Sequence, residues 1–295
     1  TQGWVTGLLL FASGARSGLD VTPGRTEGLH EYFFNFIQQQ DLPPKDIIRL
    51  GLLDEIPLGF VRDVLPGLGQ GLAAFASKKM FVHPPKGGQD KTIIFHDLFK
   101  ECLRDLAKVH LSHPEVEETL NLTAEWLTAH SRIPEALFYF ARCGKWTRIS
   151  ELLQTHGLDL ISGNRYRTLA ELFEGIPDPI IFSDGWLSFF AGEALFATTP
   201  QKCLSPLDRS RQIFHSHKQD TWELLAIASI LLYDITIDGH FGQRKNLVLR
   251  GDELFQRVDA ELDETTRVRI IHALAMGSIY ILGASRKAPS HNQRA

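Results

Sequence analysis

A chain of 295 residues, 43% apolar and 22% charged, has the make-up of a packed protein and excludes a disordered one. A formal charge of −4, with no run of Lys and Arg, argues against non-specific nucleic-acid binding, which depends on positive charge. Three scattered cysteines, Cys102, Cys143 and Cys203, have no CxxC spacing and read as small core residues in a reducing compartment, not a disulfide framework.

The chain opens TQGWVTG, without an initiator Met and inside an amphipathic pattern, so it reads as a fragment. No basic start precedes the first apolar run, so no signal peptide is expected. Trp4, Leu8, Leu9, Phe11 and Ala12 give a short helical face ending at Gly14. A second helix is expected over 27–40, with Tyr32, Phe33, Phe36 and Ile37 as its buried stripe. Pro43 and Pro44 stop it, because a residue before proline avoids the helical region.

From Lys45 the pattern changes. Ile47, Ile48, Leu50 and Leu53 mark one helix, 59–65 a second and 71–77 a third. Two β-rich runs, 79–83 and 91–95, flank the turn PPKGGQD, a hairpin signal. The run TIIFHDLFKECLRDL (92–106) starts as a strand and becomes a helix, with apolar residues at Phe95, Leu98, Phe99, Cys102, Leu103 and Leu106 on one helical face. Asp97 falls at the cap or first turn, where a carboxylate favours the positive helix end. His96 sits at the joint, beside a helix N-terminus able to receive an anion. A histidine there can equally serve as a local hydrogen-bonding group.

Three helices, a hairpin and a closing helix make the order of a winged-helix domain. Nine Lys or Arg against eight Asp or Glu between Lys45 and Asp105 favour a packing module over a DNA binder. From residue 115 onward helices are expected over 115–130, 134–143, 146–155, 166–173, 185–197, 208–216, 221–237, 244–258 and 264–282. The joints between and around them include Gly144, Gly157, Gly163, Asp178-Pro179 and Thr199-Pro200. Short joints suggest stacked helical hairpins, an α-helical, tetratricopeptide-like solenoid, with a globular all-α domain as the alternative. Trp126 with Ala136, Tyr139 and Ala141 carries a loose tetratricopeptide cue, as does Ala226, Ala228 and Tyr233 before GHFG. The apolar run 224–237 is too short for a membrane span, which needs about 20 residues, and reads as a buried helix.

Other motifs fail. Gly67, Gly69 and Gly71 (GLGQG) lack a preceding strand and read as a turn, not a dinucleotide loop. Gly144-Lys145 lacks the rest of a P-loop. The pairs His110/His113 and His215/His217 have no evident further ligands, so no metal is expected. With no GxSxG, HExxH or placed carboxylate pair, an enzyme reading has no motif to rest on, and no catalytic residue is assigned.

Four segments, taken in order, carry a resemblance. TQGWVTGLLLFA resembles the TEGW-x-x-GL-x-LAA helix of the MalT-like LuxR-type transcriptional regulators, which are STAND-class signal-transduction NTPases. FHDLFKECLRD is similar to their YHPLF-x-x-FLR segment. AEWLTAHSRIPEALFYFARCGKW resembles their W-x-x-x-x-G-x-x-x-EAI-x-H-x-x-x-AGD helix pair, and GIPDPIIFSDGWLSFFAGEALF their LP-x-x-x-x-x-x-P-x-L-x-x-x-x-AW segment. The likeness covers most of residues 1–200.

It implies the end of a helical lid over 1–40, a winged helix over 41–111 and a helical-repeat sensor over 112–285, while the polar composition of RKAPSHNQRA marks a flexible tail over 286–295. It implies a cytoplasmic, ATP/ADP-switched transcription activator, with the nucleotide-binding domain upstream and DNA contacted only through a missing C-terminal domain. The fragment itself would not be an enzyme or hold nucleotide tightly, although the whole protein would be a slow ATPase switch. A small inducer or an inhibitory protein would meet the repeats, with no membrane partner. The family histidine that touches the β-phosphate of ADP maps to His96. Asp97 stands where that family often has proline, and so either caps the helix or weakens the contact. The rival reading is a helical scaffold that binds a partner protein and never meets nucleotide.

Overall fold

The computed structural model describes residues 26–77, 81–83, 92–238, 244–280 and 283. The expected Trp4 helix, the turn 84–90, GHFG (239–242) and the tail 286–295 lie outside the described residues. Among the described residues the fold is mainly α, with fifteen α-helices and one three-stranded antiparallel sheet. The chain divides into two compact units between Tyr139 and Phe140.

In chain order the first unit contains α1 (Thr26–Gln38), α2 (Pro44–Leu50), β1 (Ile56–Pro57), α3 (Leu58–Val64) and α4 (Gly69–Ser77). There follow β2 (Val82–His83), β3 (Thr92–Phe95), α5 (Asp97–His110), α6 (His113–Ala129) and α7 (Ile133–Arg142), the helix in which the division falls. Proline occupies the first turn of α2, where its missing N–H costs nothing. GLGQG is a 3₁₀ turn running into α4, and a Cβ on Gly71 would stand 2.5 Å from the Leu42 side chain.

The sheet order is β1-β3-β2. Val82 pairs with Phe95 and His83 with Ile94, while Ile56 and Pro57 pair with Ile93 and Thr92 on the other edge of β3. The sequence reading expected only a hairpin and missed β1. Two residues are too few to show alternation, and a proline is tolerated there because β1 is an edge strand. The reading also started the last helix at Phe95 and placed Leu98 on its apolar face. Phe95 ends the strand, the helix begins at Asp97, and Leu98 is exposed.

The core of this unit is aromatic. Phe99, 1% exposed, has its ring centroid 5.0 to 6.5 Å from those of Phe33, Phe36, Phe75, Phe81 and Phe95. α6 is tied to α2 by Glu115, which accepts the N–H and hydroxyl of Ser112 at 2.9 and 2.8 Å and contacts Lys45 Nζ at 2.6 Å. Those donors hold the Glu115 carboxyl at about 2, the Lys45 bond being the largest cause. Trp126 pins α6 to α3: its indole N–H donates to Asp63 at 3.0 Å, and a Cβ on Gly59 would lie 2.9 Å from its ring.

The second unit contains α8 (Trp146–Ser162), α9 (Tyr166–Glu174), α10 (Asp178–Ile181), α11 (Gly185–Thr198), α12 (Leu204–Ser216), α13 (Asp220–Tyr233), α14 (Lys245–Val258) and α15 (Glu264–Tyr280). α11 packs against α8, α9 and α12, and α13 packs against α12, α14 and α15. These two central helices are buried on nearly all sides, which explains why their apolar residues show no single stripe. α13 gives way to a π-helical turn, Asp234–Asp238, rather than continuing as α-helix to 237. Among the described residues no helix is long and apolar enough to cross a membrane.

Two expected joints are helix. Asp178-Pro179 opens α10, with proline in its first turn. Gly157 lies inside the continuous α8, where a Cβ would fall 2.2 Å from Phe190 Cζ. It is a contact glycine, letting α8 approach α11. Gly157→Ala should therefore destabilise the chain by about 1–3 kcal/mol through overpacking, read from the midpoint of urea unfolding. An unchanged midpoint would show that Phe190 can step aside at no cost.

Candidate functional site

The strand-to-helix joint follows from a change of period. Thr92–Phe95 alternates outward and inward, with Ile93 and Phe95 buried. His96 then takes an N-cap backbone conformation (φ −57°, ψ 142°) and α5 begins. Its N–H donates to the Phe81 carbonyl at 2.9 Å, and its own carbonyl accepts the Lys100 N–H at 2.9 Å. The joint is thus tied on one side to β2's neighbour and on the other to the first turn of α5. The His96 ring is half-buried and makes no side-chain cap bond to α5.

Its partner was not foreseen. The His83 ring lies 4.0 Å from the His96 ring, centroid to centroid, tilted by 55°. The signal was available in the hairpin register. His83 sits opposite Ile94, and residues two apart share a face, so His96 follows Ile94 onto the face that carries His83. Burial first, and the charge of His83 second, hold the His96 imidazole below the ordinary histidine range, while Asp97 pulls it upward. At neutral pH His96 is therefore an uncharged hydrogen-bonding ring. The unfolded chain binds that proton more readily, so this group lowers stability as pH falls through about 6.5.

Asp97 is exposed in the first turn, and its side chain makes no hydrogen bond or ion pair with a described residue. It does not serve as the N-cap, a place taken by His96. What the joint can do chemically is donate: one imidazole is the N-cap residue of a 14-residue helix and a second lies against it.

The second unit holds ionic groups that sequence reasoning passed over. Glu193 on α11, 1% exposed, receives Arg269 of α15 at 2.6 Å on each oxygen and also the hydroxyl of Ser229 on α13. Burial works against the Arg269 charge, but Glu193 beside it raises its pKa on balance. Glu223, also 1% exposed, is held bidentately by Arg250 at 3.0 and 2.9 Å, with His215 Nδ1 3.1 Å from one oxygen. Burial raises the Glu223 pKa, and Arg250 and His215 more than reverse that, leaving it lowered. Ser229 is fully buried, so its hydroxyl is out of reach of any substrate and the triad is a clamp between helices. Burial pushes the Cys102 and Cys203 thiols up to about 12, far from the thiolate form that reacts. No cluster of three or more metal-ligating side chains occurs among the described residues.

Trp186, Phe189, Phe190 and Trp222 pack on one another at 5.1 to 6.2 Å, with Phe189 and Phe190 fully buried, and form core rather than a platform. Comparison with protein-family models, curated proteins and solved structures gave no match.

Proposed function

We propose that this chain is a regulatory piece of a STAND-class, MalT-like LuxR-type transcription regulator, in which a winged helix over 41–111 reports nucleotide state to a helical sensor over 112–285. The observation that supports it best is the position of His96: half-buried, at the N-cap of α5, its ring free of any capping bond and paired with His83. The element order helix, strand, two helices, hairpin, helix suits a winged helix, and the short β1 fits that plan. The stacked helices after α7 suit a tetratricopeptide-like sensor able to take an inducer or an inhibitory protein. DNA would be contacted by a domain outside this chain, and ADP would be held mainly by a nucleotide-binding domain before it.

In this reading His96 donates a hydrogen bond to the β-phosphate of ADP in the resting state. Loss of that contact on nucleotide exchange frees the winged helix, a switch needing only a few kcal/mol of differential binding. A bond to a charged group is worth about 1.5–3 kcal/mol. His96→Ala in the full-length protein should therefore speed ADP release by about 10- to 100-fold and raise basal transcription. Because the free imidazole resists protonation, binding a diphosphate should draw a proton onto it. ADP affinity should then rise as pH falls from 7.5 to 6, and that slope should flatten in His96→Asn. Unaltered ADP release would reject the nucleotide role and favour a partner-binding helical scaffold.

A further inference from the structure

Along the second unit runs a groove of about 720 Å³ between α9 and α10 on one side and α11 and the start of α12 on the other. Its floor is apolar and made partly of small residues: Phe173, Ile181, Ala191, Ala194 and Pro206 are all buried. Its edges are polar and exposed. Three carboxylates stand on the α9–α10 lip, Glu171, Glu174 and Asp178. Arg167 pairs with Glu171 at 3.3 Å, which leaves Glu174 and Asp178 without an ion pair among the described residues. Lys202 lines the other wall and reaches neither of them. After the internal pair is discounted, the lining holds two carboxylates and one ammonium without an ion pair among the described residues.

The placement of Glu174 is electrostatically adverse. It is the last residue of α9, where the helix already presents its negative end and a cation is favoured. Asp178 follows four residues later and adds a second negative charge to the same lip. Asp178 is itself well placed, in the first turn of α10, but Glu174 gains nothing in folding from its position, and an incoming cation would relieve it. The groove's volume falls in the range of small-molecule sites, about 300–1,000 Å³, and its apolar floor with a few charged groups at the rim is the usual make-up of such a site.

We propose that this groove binds a small amphiphilic amine, its hydrocarbon body on the Phe173, Ile181, Ala191 and Ala194 floor and its ammonium at Glu174 and Asp178. The inference stands apart from the nucleotide reading, since it concerns neither His96 nor the first unit. If an inducer acts on the helical unit, this fixes its chemical class.

The test uses three probes of one shape, n-hexylamine, n-hexanol and hexanoate, titrated into the 295-residue chain by calorimetry or ligand-observed NMR. Hexylamine should bind about fivefold or more tightly than hexanol, the worth of two partly exposed ion pairs, and hexanoate should bind least. Glu174→Gln with Asp178→Asn should bring hexylamine down to the level of hexanol. Both positions are exposed, so the fold should survive, and Glu174→Gln alone serves if the pair of changes does not fold. Lys202→Gln should tighten hexylamine binding. Equal binding of amine and alcohol, no binding by either, or an amine preference that survives the double variant would each overturn the assignment.

Discussion

Arg269→Met is expected to lower the stability of the chain by about 3–5 kcal/mol, because it strands the carboxylate of Glu193 in a site it cannot leave. Glu193 is 1% exposed, and its two oxygens take Arg269 at 2.6 Å each. Among the described residues the other donor to Glu193 is the Ser229 hydroxyl, which is neutral and also bonds back to the Leu225 carbonyl. A single hydroxyl offsets little of the cost of an uncompensated buried charge. The companion change decides whether the clamp stabilises the fold or merely tolerates itself. Removing both charges, Glu193→Leu with Arg269→Met, should recover most of the loss, since a buried pair replaced by apolar groups of similar volume is often neutral. Urea unfolding of the two single variants and the double variant closes the cycle. A cost below about 1 kcal/mol for Arg269→Met would mean that water reaches Glu193 and that the clamp is looser than its distances imply.

The clamp also shows where sequence reading stops. Helix positions were largely legible, because apolar residues three and four apart mark a buried face whatever lies against it. α1, α3, α11 and α14 fall within a residue or two of the expected spans. Glu193 and Glu223, by contrast, look in sequence like any carboxylate on a helix. Their burial is decided by Arg269 and Arg250, 76 and 27 positions away, and no local pattern carries that pairing. Gly157 misled for a similar reason. A glycine reads as a joint, and only the ring of Phe190 arriving from α11 makes it a point of contact. β1 escaped notice because two residues carry no period. At the candidate site the joint itself was legible from the change of period at Phe95. His83 needed the hairpin register, which the composition of the turn does not determine. The groove in the second unit was not legible at all, since its two walls are helices that pattern analysis treats one at a time.

The aromatic cluster beneath the joint gives the second large expected effect. Phe99→Ala should cost about 3–5 kcal/mol, the range for emptying a packed phenylalanine site. Phe99 is 1% exposed and its ring centroid is within 6.0 Å of those of Phe33, Phe75, Phe81 and Phe95, so no single neighbour can collapse to fill the gap. Phe99→Leu keeps much of the volume and should cost clearly less, about 1–2 kcal/mol. The local consequence matters more for function than the global one. Phe99 is three residues past His96, and Phe81, whose carbonyl accepts the His96 N–H at 2.9 Å, packs on its ring at 5.0 Å. Loosening that contact should loosen the joint from both sides. Hydrogen exchange at the amides of His96 and Lys100 reports it, because one bonds to Phe81 and the other to His96 itself. In Phe99→Leu these two amides should lose more protection than those in the middle of α6, which has its own anchors at Glu115 and Trp126. Equal loss everywhere would mean that the unit opens only as a whole. The imidazole of His96 would then be held by the fold at large rather than by the aromatic ring one turn below it.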